Sequence, residues 1–286
     1  MARKPLGEKE WFAADRWQDL LVPLFPDHRY TKAVGAQRKL RLLLCAAARQ
    51  GWGVMPDDRS RTSVEVAERF AERHATARQL TAARTAAEKV FAAAERARER
   101  TEAECRSEFD RRVKAAGAGE WSSRWPSDLA APFAETLRAQ FAARVAVCAT
   151  ADPVDIPAVE KGLLFVPDVV IPLEEFATRM PEWHEVGDDD PPDPRPDLIR
   201  DVFGYPFAPV AFKAGWRTDI VTGLTEGIAT DGTFDRLPIL ADSLEEAGCD
   251  NAQLLDHCRG GGPHVRGCWA VDAVRGVHWQ PGVRAR

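Results

Sequence analysis

Apolar positions in the first half of the chain recur at helical spacing. Leu40, Leu43, Leu44 and Ala47 share one face, Arg38, Lys39, Arg41 and Arg49 lie around it, and Gly51 offers a stop. Thr62 with Glu65, and Thr76 with Gln79, spell capping boxes, in which side chains and orphan backbone donors satisfy each other. They predict helices starting near 63 and near 77. The second is long: Leu80, Ala83, Ala87, Val90, Ala94, Ala97, Thr101, Cys105, Phe109 and Val113 alternate three- and four-residue steps until Gly117 and Gly119. A seam of such small residues lets a second helix approach closely. Leu129, Phe133, Leu137, Phe141, Val145 and Cys148 supply a matching stripe over 128–149. A long antiparallel, coiled-coil-like helical hairpin is the expected arrangement.

The pattern changes at Asp152. Pro153, Pro157, Pro167 and Pro172 interrupt the apolar pieces 163–166 and 169–171, which predicts an extended edge segment or a small hairpin. Residues 185–194 are acidic and proline-rich without large apolar side chains, so a solvated, mobile linker is expected across 185–197. From Leu198 the chain reads as globular again, with a turn-rich stretch over 203–207. Segments 218–228, 238–247, 251–258 and 269–274 read as helices, with Pro238 in a first turn, Gly248 as a stop, Asp250 as a cap, and Gly260-Gly261-Gly262-Pro263 as a terminator. The expected fold is therefore mainly α: a helical N-terminal domain over 1–150, a Pro-rich extended segment and acidic linker over 151–197, and a small helical C-terminal module over 198–286.

Composition narrows the classes of function. A net charge of −5 gives no electrostatic footprint for nucleic acid. The Arg-rich runs 96–100 and 111–112 alternate with Glu95, Glu99, Glu102, Glu104 and Glu108, which makes a salt-bridged solvated face. The charged start Met1 to Lys9 lacks an apolar leader core, and the run Leu42 to Ala48 is far too short to span a bilayer. Six cysteines without a small-domain framework point to reduced thiols, hence to a cytoplasmic protein that engages neither membrane nor nucleic acid. Trp11, Phe12 and Trp17 are expected to pack beneath the hairpin, with a docking surface as the alternative.

Longer words then become readable. The stretches 234–242, Glu246-Ala247-Gly248-Cys249-Asp250-Asn251, Asp256-His257-Cys258-Arg259-Gly260 and Gly262-Pro263-His264-Val265-Arg266-Gly267-Cys268-Trp269 resemble the C-terminal signature of a large paralogous family of uncharacterised bacterial proteins. The words 38–42, 58–61 and 64–69 look like the opening of the same family. The matched pieces cover roughly 37–90 and 198–276. The resemblance implies no activity. The sequence departs from the pattern in the Pro-rich segment 152–197 and in the tail after Gly276.

Reactive side chains are densest in the same C-terminal stretch. Cys249, His257, Cys258, His264 and Cys268 are the candidate metal ligands, since zinc takes four N or S donors and His264 and Cys268 are an acceptably spaced pair. No Cys-x-x-Cys knuckle is present. The preferred reading is structural: the cysteines serve as small buried hydrophobes, and the histidines bond to backbone or core groups, His264 around the 260–268 loop. A catalytic reading uses His264 to activate Cys268 at a helix start, with Asp272 orienting the histidine. The glycines 260–262 lack the context of a phosphate-binding loop. The leading expectation is a non-enzymatic interaction or regulatory protein with a protein partner. An enzyme at His264, Cys268 and Asp272 and a structural zinc module are the alternatives.

Overall fold

The computed structural model describes residues 7–25, 31–32, 35–116, 125–164, 193–205, 210–277 and 279. Among these the chain is mainly helical and contains no strand. The helices are α1 (Glu8–Ala13), α2 (Trp17–Leu24), α3 (Ala36–Gln50), α4 (Asp58–Ala71), α5 (Ala77–Ala116), α6 (Ser127–Ala149), α7 (Ile156–Leu163), α8 (Arg195–Phe203), α9 (Asp219–Asp231), α10 (Leu237–Glu246), α11 (Ala252–Arg259) and α12 (Trp269–Arg275). None is long and apolar enough to cross a membrane.

They gather into two compact units. One comprises Met1–Ala46, Pro153–Pro157 and Pro194–Arg286, the other Ala47–Asp152 and Ala158–Asp193. This division differs from boundaries at 150 and 197, because the first 46 residues condense with the C-terminal ones. Two charged residues of α3 explain why. Lys39 and Arg38, which lie around the apolar face of α3, pair with buried Asp272 of α12: Lys39 Nζ lies 2.6 Å from Asp272 Oδ2, and Arg38 forms a two-pronged pair at 2.6 and 2.9 Å. The carbonyls of Val202 and Gly267 complete the shell of the Lys39 ammonium at 2.6 and 2.8 Å. Burial pushes the Asp272 carboxyl up, but the charges of Lys39 and Arg38 outweigh it and hold it below the ordinary range.

In the second unit α5 packs against α4 and α6. Thr76 and Gln79 form the anticipated reciprocal cap, with Gln79 Oε1 accepting from the Thr76 amide at 2.8 Å and Thr76 Oγ1 from the Gln79 amide at 3.3 Å. Leu80, Ala83, Ala87, Val90, Ala94 and Cys105 are buried along the seam. Val90 and Ala94 meet Ala143 of α6, Arg144 lies over the Phe91 ring at 4.5 Å, and Arg112 pairs with Asp128 at 2.8 Å. Helix α4 starts five residues before the position that Thr62 and Glu65 suggest, because the Asp57 side chain accepts from the Arg59 amide at 2.7 Å and caps the chain there.

Further corrections concern α7 and the first unit. Residues 156–163 are helical rather than extended, with Pro157 in the first turn where its missing N–H costs nothing. The rest of the Pro-rich segment and most of the acidic linker, 165–192, lie outside the described residues, and 195–197 already belong to α8. Asn251, not Asp250, caps α11, accepting from the Leu254 amide at 2.9 Å, while Asp250 pairs with Lys213. Trp11 and Trp17 are buried in the first unit, Trp11 edge-on to Tyr205. The core joins Val221 and Ile228 of α9, Leu237, Leu240 and Leu244 of α10, Leu254 of α11 and Val271 and Val274 of α12.

Candidate metal centre

Four side chains from four separate places in the first unit converge. They are Asp201 on α8, His257 on α11, His264 in the following loop and Cys268 at the cap of α12, with one donor atom of each within 4.8 Å of the others. His257 Nε2 lies 3.2 Å from both Cys268 Sγ and Asp201 Oδ1, and His264 Nδ1 lies 3.0 Å from the same Asp201 oxygen.

Local sequence explains each position. Asp201 stands three residues after Leu198 on the buried face of α8, between Ile199 and Val202, so the helix carries a carboxylate inward with its apolar stripe. His257 stands three residues after buried Leu254 on α11. Two glycines make the loop geometry attainable. Gly204, at φ +61°, abuts the Trp269 ring so closely that a Cβ there would sit 2.8 Å from it. Gly267, at φ +90°, would place a Cβ 2.9 Å from Leu42 Cδ1. Only glycine satisfies both the left-handed backbone and the close approach.

The surrounding hydrogen bonds assign the protons. Asp201 Oδ2 accepts from the Val265 amide at 2.9 Å, which leaves Oδ1 to the two histidines. His264 Nε2 lies 3.0 Å from the Gly260 carbonyl, so that nitrogen carries hydrogen and Nδ1 turns to the carboxylate. Burial pulls the His264 ring down, but the Asp201 hydrogen bond and the Gly260 carbonyl more than offset it and raise its pKa. Burial likewise raises Asp201, and the hydrogen bonds of His257 and His264 reverse the direction. Trp269 Nε1 donates to His257 Nδ1 at 3.1 Å.

A cleft of about 450 Å³ opens above this cluster. Asp201, His257 and His264 line it together with Trp269, Tyr205 and half-exposed Phe12. Arg200 closes one wall: its guanidinium donates to the carbonyls of Trp11 and Ala14 and pairs with Asp197 at 2.7 Å. Cys268 is fully buried and does not line the cleft.

The structure distributes the sequence candidates unevenly. His257, His264 and Cys268 come together. Cys249 and Cys258 do not join them: both are buried core residues, and burial with the nearby Cys249 pushes the Cys258 thiol up to about 12. Helix geometry separates Cys258 from its neighbour, since successive residues differ by roughly 100°. Asp272 is committed to Lys39 and Arg38, so the residue that orients His264 is Asp201. The contact to Cys268 comes from His257. Cys268 does stand at a helix start, yet burial and then Asp201 push its thiol well above the ordinary value, against the pull of the Val271 and Ala270 amides. Sequence reasoning missed Asp201. The available signal was a lone carboxylate inside the apolar stripe of a short helix.

No protein-family model, curated protein or solved structure matches the chain.

Proposed function

We propose that this chain is a non-enzymatic interaction protein whose C-terminal region is organised around a transition-metal ion of the zinc type, held by Asp201, His257, His264 and Cys268. One observation carries the metal reading: four donors of the right chemistry converge where an ion-free core would favour apolar contacts. Tetrahedral bonds of 2.0–2.3 Å imply donor–donor edges of roughly 3.3–3.8 Å. Three of the six donor–donor separations, at 3.0–3.2 Å, lie near that edge, and all six are within 4.8 Å. Two nitrogens, an oxygen and a sulfur suit zinc or cobalt(II) better than magnesium or calcium, which prefer oxygen shells. The His264 surroundings also fit, because a ligating histidine normally donates its second N–H to a carbonyl such as that of Gly260.

Four protein donors fill a tetrahedral shell and leave no position for substrate, which is why the role is assigned to structure. The sealed position of Cys268 likewise supports a non-catalytic thiol. We read α5 and α6 as an antiparallel hairpin that, alongside the C-terminal module, offers a protein partner its charged surface. The pairs Arg84–Glu88 and Arg98–Glu102 keep this long helix solvated. Six free cysteines support a place in the reducing cytoplasm.

Element analysis of purified protein tests the centre. The expected result is one zinc-class ion per chain, lost in Asp201→Asn and Cys268→Ser. Protein that purifies without metal and takes up none from equimolar zinc would sink the reading.

A metalloenzyme is the second reading, favoured by the cleft that Asp201, His257 and His264 line. If Asp201, His257 or His264 left the shell, a position would open to that cleft. Cobalt-loaded protein would then change its visible spectrum on adding azide, and an azide-insensitive spectrum rules this reading out.

A further inference from the structure

The metal reading requires His257 Nε2 to offer a lone pair toward Asp201 and Cys268. Trp269 opposes it. An indole N–H only donates, and that of Trp269 donates to His257 Nδ1 at 3.1 Å. A neutral imidazole whose Nδ1 accepts carries its proton on Nε2, the atom that faces the other donors. Ligating histidines need the reverse polarity, with the second nitrogen donating outward. His264 has that polarity and His257 does not.

We infer that Trp269 is a positioning residue for the metal centre: its indole holds His257 in the tautomer that excludes the ion, and loading displaces it from Nδ1. This inference rests on the metal reading and adds what controls loading. Two observations besides the hydrogen bond support it. Trp269 lines both the 450 Å³ cleft and a smaller cavity of about 60 Å³, which offer room for its ring to move. Gln253 lies one turn before His257 on α11 and lines the same two cavities. Side chains four apart on a helix are neighbours, so the Gln253 amide oxygen is placed to accept the Nδ1–H once the indole has left. The exchange balances: the His257 proton moves from Nε2 to Nδ1 as zinc takes Nε2, Gln253 replaces Trp269 as the partner of Nδ1, and the Cys268 thiol releases its proton to solvent.

The test compares zinc and cobalt(II) binding by wild type, Trp269→Phe and Gln253→Leu. The phenylalanine variant keeps an aromatic ring in the seat beside Gly204 but has no N–H. It is expected to bind metal about five- to tenfold more tightly, the equivalent of one hydrogen bond, and Gln253→Leu several-fold more weakly. In nitrogen-15 spectra of the wild type, the Trp269 indole resonance should shift on adding zinc, which keeps the inference testable even if the phenylalanine variant does not fold. Metal binding of equal strength in wild type and both variants, with an unmoved Trp269 signal, overturns the inference and leaves the metal centre standing. Absence of zinc and cobalt binding in all three proteins overturns the metal reading itself, and this inference with it.

Discussion

Single residues in the first unit carry large electrostatic costs. Asp272 is 2% exposed and packs against Lys39 and Arg38. Replacing it with Asn leaves two cations facing a carboxamide, and breaking a buried pair from one side typically costs about 3–5 kcal/mol. Asp272→Asn should therefore lower the denaturation midpoint strongly at neutral pH, and a midpoint within error of the wild type would refute the pairing. The pH dependence has a defined sign. A carboxyl whose folded pKa is depressed contributes stability that is complete above its unfolded value, about 4, and is lost as pH falls through the folded value. Wild-type stability should thus decline in acid, and Asp272→Asn should flatten that limb. A wild-type midpoint independent of pH below the ordinary carboxylate range would contradict this. Gly267→Ala is expected to cost about 1–3 kcal/mol from backbone conformation alone. The Leu42 contact adds to that cost, and the resulting shift of neighbouring Cys268 should lower zinc affinity in parallel. Unaltered stability and affinity would show that the loop tolerates a side chain there.

At the scale of elements, the long helices depend on small residues and close approach. Val90 is 3% exposed and packs with Ala94 against Ala143. Val90→Asp buries an unpaired carboxylate at that contact, with an expected loss on the order of 3 kcal/mol or more. An unchanged melting midpoint would count against the packing of α5 on α6. Thr76→Ala removes the hydroxyl of the reciprocal cap and should cost about 1 kcal/mol, read from the same melts. Periodicity and capping chemistry made these elements legible, because both depend on residues a few positions apart. The start of α4 was misplaced because two caps compete there, and Asp57, with its side chain bonded to the Arg59 amide, wins over Thr62.

For the whole molecule, the two compact units give the metal proposal a spatial signature. An ion that binds only the folded state contributes about 4 kcal/mol when its free concentration is a thousandfold above Kd. Chelation should therefore destabilise the unit containing Asp201, His257, His264 and Cys268, while hydrogen exchange in α4, α5 and α6 stays protected. Equal loss of protection in both units would show that the centre does not act locally.

The sequence by itself determined the helical class, the long seam of α5 and eight of the twelve helices in the described residues, whereas α1, α2, α7 and α8 were not read as helices. These follow from interactions between near neighbours. The tertiary structure alone decided which distant polar residues share a site. Asp201 lies 63 residues from His264, and Lys39 lies 233 residues from Asp272. A hydrophobic pattern states which face of a helix is buried, but not what it is buried against. Lys39 and Arg41, placed from sequence around the apolar face of α3, are both buried, and Asp201 went unnoticed within its apolar stripe. His257 and Cys258 were indistinguishable as ligands until helix rotation placed one toward the cluster and the other in the core.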